Sequence, residues 1–261
     1  MSAVMPKISA TVITKNEEKN IAACLESLEW VDEIVVLDSG SSDKTVEIAK
    51  KYTSTVFVEQ WRGMGNQKNR AVELARGPWI VALDADERIS PELALEIRKA
   101  ICDNVPAAYA IRRKNFYQGR WVRHCGWWPD WVKRVFKKGE AHFSKDVIHD
   151  SLQAVSLVKR LNSPILHYSF SSPEDFLNRT CIYANHQARE MYRNGRRASL
   201  WTAISHAVFA LLHTYITRLG FLDGAAGVLI SVSNFVGVFY RYMMLRHLNL
   251  NAEISDKQRQ S

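Results

Sequence analysis

The sequence contains no C-x-x-C pair, and its four cysteines (Cys24, Cys102, Cys125 and Cys181) follow no framework spacing. A disulfide scaffold is thereby excluded, and reduced thiols in a cytosol are the simplest account. There is no internal repeat, no low-complexity tract and no Pro/Gly-rich linker, so nothing suggests a repeat array or modules strung on a tether. No basic segment precedes "KISATVIT", a short β-branched stretch expected to form a first strand and not a secretory leader. No RNA- or DNA-binding motif is present, and nucleic acid is not an expected partner.

What is there fits a globular protein. The chain has 261 residues, 47% hydrophobic and 24% charged, enough for one large domain or one domain with a smaller attachment. The net charge of +8 is uneven: residues 1–106 carry 13 Lys+Arg against 17 Asp+Glu, and residues 107–261 carry 22 against 10. An acidic, metal-using front half and a back half facing something anionic are expected.

Residues 7–106 alternate strand and helix signals. "KISATVIT", "EIVVLDSG", "TVFVEQ" and "WIVALDAD" read as strands, and "EEKNIAACLESLEW", "SSDKTVEIAKKY" and "NQKNRAVELARG" as the helices between them. Ser90-Pro91-Glu92 opens a further helix with an N-cap, an N1 proline and a first-turn acid. Such alternation implies an α/β fold with a mostly parallel central sheet covered on both faces. Ligands of such sheets sit at the carboxyl ends of the strands, where Thr14-Lys15-Asn16-Glu17, Asp38-Ser39-Gly40 and Asp84-Ala85-Asp86 all fall.

The last of these poses a problem of charge. Strand alternation predicts Asp84 and Asp86 on one face, roughly 6.5 Å apart, with Glu87 directly behind. Carboxylates so placed repel, more strongly when partly out of water, so a positive partner is required.

"TVITKNEEKNI", "VVLDSGSSDKT", "GMGNQKNRA" and "WIVALDADE", in this order and spacing, resemble glycosyltransferase family 2, the GT-A fold. Downstream, "WWPDWVKRVFKK", "VIHDSL", "ILHYSF" and "LGFLDGAAG" resemble a narrower bacterial group, the lipopolysaccharide core β-1,4-glucosyltransferase-like enzymes. The resemblance implies an inverting transferase that moves a hexose, glucose from UDP-glucose by best match, onto the inner core of lipopolysaccharide. A nucleotide-sugar donor, a UDP-sugar, leaves a diphosphate, and a divalent cation bridging the phosphates stabilises the charge. Strand-end carboxylates suit Mg²⁺ or Mn²⁺. Asp86 is the expected direct ligand. Asp84 is expected, from the resemblance, on the ribose or a metal-bound water. Asp38 would receive the base, with an Asx-turn as its alternative role. Thr14, Asn16 and Glu17 would line the nucleotide pocket, and Lys68 would place a cation near the diphosphate.

Residues 107–172 interleave aromatics and bases, a pattern that serves single-stranded nucleic acid or a sugar acceptor. The acidic front half favours the acceptor, with Trp127, Trp128, Asp130 and Arg134 as candidates. A displacement needs a base on the acceptor side, outside the metal site. Of the carboxylates in this segment, Glu140 lies in a turn, Asp146 follows Lys145 and Asp130 sits among tryptophans. Asp150, closing "DVIHD", is the expected base; His149 is expected to be structural. His167 is left between a metal or phosphate contact and a core histidine. Glu174-Asp175 matches an acid pair of the family, but after Pro173 it reads as a helix start.

The expected division is a catalytic domain over 1–172, with a nucleotide-sugar part at 1–106 and an acceptor part at 107–172, then a helical region over 173–261. There, Ala198–Thr217 is an uncharged run of 20 residues and Gly224–Tyr240 another of 17, flanked by Arg193, Arg196, Arg197, Arg241 and Arg246. Paired helices on an anionic membrane surface are expected, giving a cytoplasmic protein peripheral to the inner membrane. A hairpin packed on the catalytic domain is the alternative, and a true span the least favoured. Two other enzyme classes fit less well. A nucleotidyltransferase needs a glycine-rich loop after the first strand, and "TKNEEKN" has none; a D-x-D-x-T phosphatase needs a threonine where Arg88 stands. A non-catalytic nucleotide-sugar-binding protein remains as the non-enzymatic reading.

Overall fold

The computed structural model describes residues 6–102, 107–144, 151–155, 157–170 and 172–260. Asp146, His149 and Asp150 lie outside the described residues.

The front of the chain runs β1 (Ile8–Thr14), α1 (Ile21–Glu26), β2 (Glu33–Asp38), α2 (Thr45–Ala49), β3 (Val56–Val58), α3 (Met64–Leu74), β4 (Trp79–Asp84), β5 (Glu87–Arg88) and α4 (Pro91–Cys102). β1 is buried throughout and lies parallel between β2 and β4, with Thr14 level with Asp38 and Ile13 level with Asp84. That register brings three strand ends to one level, as the sequence pattern requires. α4 starts as expected, with the Leu93 amide donating to Ser90 Oγ. α1 is shorter than the sequence pattern suggests. Asn16 takes a positive φ of 55°, and a separate turn on the Glu17 carbonyl delays the helix to Ile21.

The following stretch contains β6 (Ala108–Tyr117), β7 (Arg120–Trp121), β8 (Asp130–Lys137), β9 (Ala141–Phe143), β10 (Leu152–Ala154), β11 (Val158–Arg160) and β12 (Ile165–Phe170). The main sheet has the order β3-β2-β1-β4-β8-β6-β12-β5. Here the expectation of a mostly parallel sheet needs correction: the sheet is mixed. β3 to β4 are parallel, but β8 runs antiparallel to both β4 and β6. Residues 107–137 extend the sheet with antiparallel pairing because no crossover helix separates β6 from β8. The core is two apolar layers, one under α1 and α4 around Trp79, Leu83 and Ile97, the other around Ile80, Phe136 and Phe143.

Two compact units emerge: residues 1–115 with 129–169, and residues 116–128 with 170–261. The second is mainly helical, with α5 (Pro173–Arg193), α6 (Leu200–Leu212) and α7 (Ala225–Gln260). Ser172 caps α5 by accepting from the Asp175 amide, with Pro173 at the first position, so Glu174 and Asp175 belong to a helix start. α7 packs along both α5 and α6.

Candidate active site

β4 ends at Asp84, the chain turns through Ala85 and Asp86, and Glu87 opens β5 against β12. Much of the positive charge that these carboxylates require comes from the protein itself. Lys68 Nζ, from α3, lies 2.8 Å from Asp84 Oδ1. Arg134, from β8, meets the other oxygen of Asp84 and lies 2.7 Å from Glu87 Oε1. Arg113, from β6, reaches Glu87 Oε1 at 3.1 Å and Asp130 Oδ2 at 2.8 Å. Burial alone would raise the pKa of Asp84, but Arg134 and Lys68 outweigh it and hold the carboxyl well below the usual carboxylate range. Glu87 is shifted the same way: burial opposes, and Arg134 and Arg113 prevail. These cations hold Asp84 and Glu87 ionised.

A second arm leads from Asp130 to Asp86. Asn115 Nδ2 donates to Asp130 Oδ2 at 3.2 Å, so its Oδ1 faces the other way, 2.6 Å from His167 Nδ1. Ser169 Oγ is also 2.9 Å from that nitrogen. The carboxylate fixes the amide, and the amide oxygen fixes the ring: Nδ1 carries the proton. His167 Nε2 then points at Asp86 Oδ2, 3.4 Å away. The Tyr168 amide donates to the Asp86 carbonyl at 2.9 Å, which sets the two side by side. Asp86 Oδ1 is buried and has no hydrogen-bond partner among the described residues.

That orphaned oxygen is the test of whether a cation fits. His167 Nε2 and the Asp86 carboxylate face each other, and a nitrogen and two carboxylate oxygens so placed could share a divalent ion. No cluster of three His, Cys, Asp or Glu side chains capable of holding a metal occurs among the described residues. Two protein donors suit Mg²⁺ or Mn²⁺, which complete their shells with substrate phosphates and water. The donor set fits.

The other expected site residues are placed as follows. Thr14 is buried at the end of β1, its hydroxyl without a partner among the described residues. Asn16 Oδ1 accepts from the Ser42 amide at 2.8 Å and so holds the turn after β2. The Glu17 amide donates to Thr45 Oγ1, and its carboxylate accepts from Asn20. Asp38 is buried, and its carboxylate accepts from the amides of Gly40 and Ser41 and from the Ser41 hydroxyl, the Asx-turn alternative. Lys68 sits on Asp84. Arg134, expected against an acceptor, is 4% exposed and pairs with Asp84 and Glu87. Asp130 is in the network, whereas Trp127 and Trp128 belong to the helical unit. There Trp127 packs on Phe176 within an apolar cluster, and Trp128 meets Trp121 edge-on. The four acceptor candidates therefore do not fall in one unit. Asp150 lies outside the described residues.

Sequence reasoning assigned no role to Glu87, Arg113 or Asn115. The signal for the last two was alternation along β6. Arg113 and Asn115 share one face, while Arg112 points to the other, its guanidinium 5.5 Å from the Trp131 ring.

Comparison with known proteins places this geometry in a family. The model of the family described as "Glycosyl transferase family 2" matches residues 9–161. An uncharacterised glycosyltransferase of Rickettsia typhi is 30% identical over 95% of this chain and 89% of its own. A lipopolysaccharide core biosynthesis glycosyltransferase, LpsC of Rhizobium meliloti, is 24% identical over 97% of this chain and all of its own. Among solved structures, a mannosyltransferase from Pyrobaculum calidifontis in complex with GDP-Man and Mn²⁺ has a TM-score of 0.51. It is 15% identical, covering 93% of this chain and 88% of its own, and supports the shared fold.

Proposed function

The chain belongs to glycosyl transferase family 2 and is a glycosyltransferase of GT-A fold; from that premise we propose that it is an inverting, divalent-cation-dependent hexosyltransferase using a UDP-sugar. One observation carries the metal part of this reading: the buried, unpartnered Asp86 Oδ1, with His167 Nε2 3.4 Å from the other oxygen of the same carboxylate. Asp86 and His167 would hold the ion, and Asn115 and Ser169 would orient His167. When bound, the cation would neutralise charge developing on the leaving diphosphate. The Mn²⁺ bound by the Pyrobaculum mannosyltransferase agrees with this chemistry.

Asp84, 26% exposed along its side chain, shares its charge with Lys68 and Arg134. In this reading it contacts the ribose or a water on the cation, and Lys68 lies close enough to turn toward the diphosphate. Thr14, Asn16, Glu17 and Asp38 form the nucleotide end of the pocket, Asp38 through a lone pair beyond those its own turn uses. Asp130, anchored by Arg113, orients the acceptor, and Asp150 removes the proton from the attacking hydroxyl. In this reading residues 1–172 make up the catalytic domain, of which 116–128 group with the helices, and 173–261 the helical region.

The proposed sugar is glucose, and the proposed acceptor is the lipopolysaccharide inner core, the latter supported by the LpsC likeness and the basic back half. Such an acceptor grows on a lipid, so the enzyme would work at the cytoplasmic face of the inner membrane. The test is nucleotide release from a panel of UDP-glucose, UDP-galactose and ADP-heptose, with and without Mn²⁺. Release from one UDP-sugar in Mn²⁺ alone is expected. Tight donor binding without release under any condition, with a core acceptor supplied, would instead mark a non-catalytic binding protein.

A further inference from the structure

α6 and the start of α7 carry large apolar side chains on their outer faces. α6 buries Ala203 and Ala207. Its large apolar residues face away, Trp201 being 78% exposed and Phe209 65%. Val208 and Leu212 lie on the same face, the helical turn that follows (His213–Thr217) continues it with Ile216, and Leu219 is exposed just beyond that turn. The steps from Trp201 to Val208, Phe209 and Leu212 are seven, one and three residues, which keeps these four on one helical stripe. The start of α7 also buries small residues and exposes valines, beside the fully buried Ile230. Gly227, Ser231 and Ser233 are buried while Val228 and Val232 are exposed. A Cβ on Gly227 would sit 1.7 Å from the Gly220 carbonyl oxygen, so the helix start and the turn before it touch backbone to backbone. Small residues inside and large apolar ones outside is the arrangement for a helix pair whose solvent is hydrocarbon.

We propose that the α6–α7 hairpin is a one-leaflet membrane anchor, lying in the plane of an anionic bilayer with the stripe from Trp201 to Leu219 in its acyl layer. The proposal deepens the membrane part of the reading above and rests on it. Charge identifies the occupant. Arg193, Arg196 and Arg197 are exposed just before the helix, and Arg218 is exposed at its far end. Cations at both ends of an apolar stripe about 27 Å long match anionic head groups, whereas a second copy would set arginine against arginine.

The orientation follows from the tip. The Cys125 amide donates to the Arg218 carbonyl at 2.9 Å. Asp223 accepts from the amides of Arg123 and His124, and its Oδ1 is 3.0 Å from His124 Nδ1. Residues 120–126, with Arg120, Arg123 and His124, are thus fastened to the tip. A hairpin crossing tip first would draw these groups, and both ends of their own strand, through the bilayer centre at a high cost. Lying in the plane leaves them at the surface.

The experiment uses the full chain and sealed vesicles of phosphatidylglycerol and phosphatidylcholine. Wild type should sediment with vesicles even in about 1 M salt, where head-group contacts are screened. Phe209→Asp and Trp201→Asp should each lower the bound fraction at least about tenfold, with unchanged circular dichroism. Arg218→Cys should react with a membrane-impermeant maleimide added outside, mapped by peptide mass. Several results overturn the proposal: aspartate variants that bind as wild type, complete release by salt, or label at position 218 only after detergent. So does a lipid-free dimer that Phe209→Asp dissolves, which would assign the stripe to a second copy. Sugar transfer in detergent is measured alongside. Loss of transfer strikes the catalytic reading, whereas loss of vesicle binding with transfer intact strikes this one.

Discussion

In the sheet unit, Glu87, Arg134 and most of Arg113 are withdrawn from water and satisfied by one another, while in the helical unit Trp201, Phe209 and Ile216 stand in the open. Both depart from the ordinary arrangement of a soluble protein, in opposite directions. Buried charges cost desolvation and are retained where a site needs fixed, ionised groups. Exposed large apolar side chains in a continuous stripe point to a partner that is itself apolar. With the proposed anchor, the difference teaches how one chain would serve two solvents, with buried charge in the site and apolar side chains on the outer face of the helices.

The comparison sharpens if each unit fails in its own way. The largest effect after loss of the cation ligand is expected from Asp150→Asn, which should cut the transfer rate by about 10² to 10⁴ with donor binding unchanged. Normal transfer by this variant together with a dead Asp130→Asn would move the base to Asp130. Next comes Glu87→Ala. Removing the carboxylate that Arg134 and Arg113 share should cost about 3–5 kcal/mol in urea denaturation; a loss below about 1 kcal/mol would show that the network is loosely held. Smallest is Ala207→Leu, which should overpack the α6–α7 contact by about 1–3 kcal/mol. Phe209→Asp, two residues on but facing outward, should leave lipid-free stability within about 0.5 kcal/mol. Equal losses for these two would erase the inside-out contrast.

Periodicity made the front half legible. The strand–helix alternation, the three strand ends and the D-A-D turn all follow from patterns local to a few residues, and the structure has them at the expected places. What local patterns could not carry was pairing between distant segments. Lys68, Arg113 and Arg134 are separated by 21 to 66 positions, and only the register of β6 against β8, with α3 above β4, brings them to Asp84 and Glu87. The charge demanded by the strand-end carboxylates was readable; its source was not. For Asp84 it is two side chains of the protein, and only the remaining demand, at Asp86, suits a metal. In the helical region, composition showed uncharged runs, but the direction in which Ala203 and Phe209 point required the packing of α6 on α7.

The most direct test concerns Asp86. Nucleotide release from a UDP-sugar should be measured over a Mn²⁺ titration for wild type, Asp86→Ala and Asp86→Asn, each stripped with EDTA first. The account predicts saturable Mn²⁺ activation of wild type, no turnover by Asp86→Ala at any concentration, and residual nucleotide binding without metal-dependent turnover by Asp86→Asn. Full activity of Asp86→Ala in EDTA would contradict it.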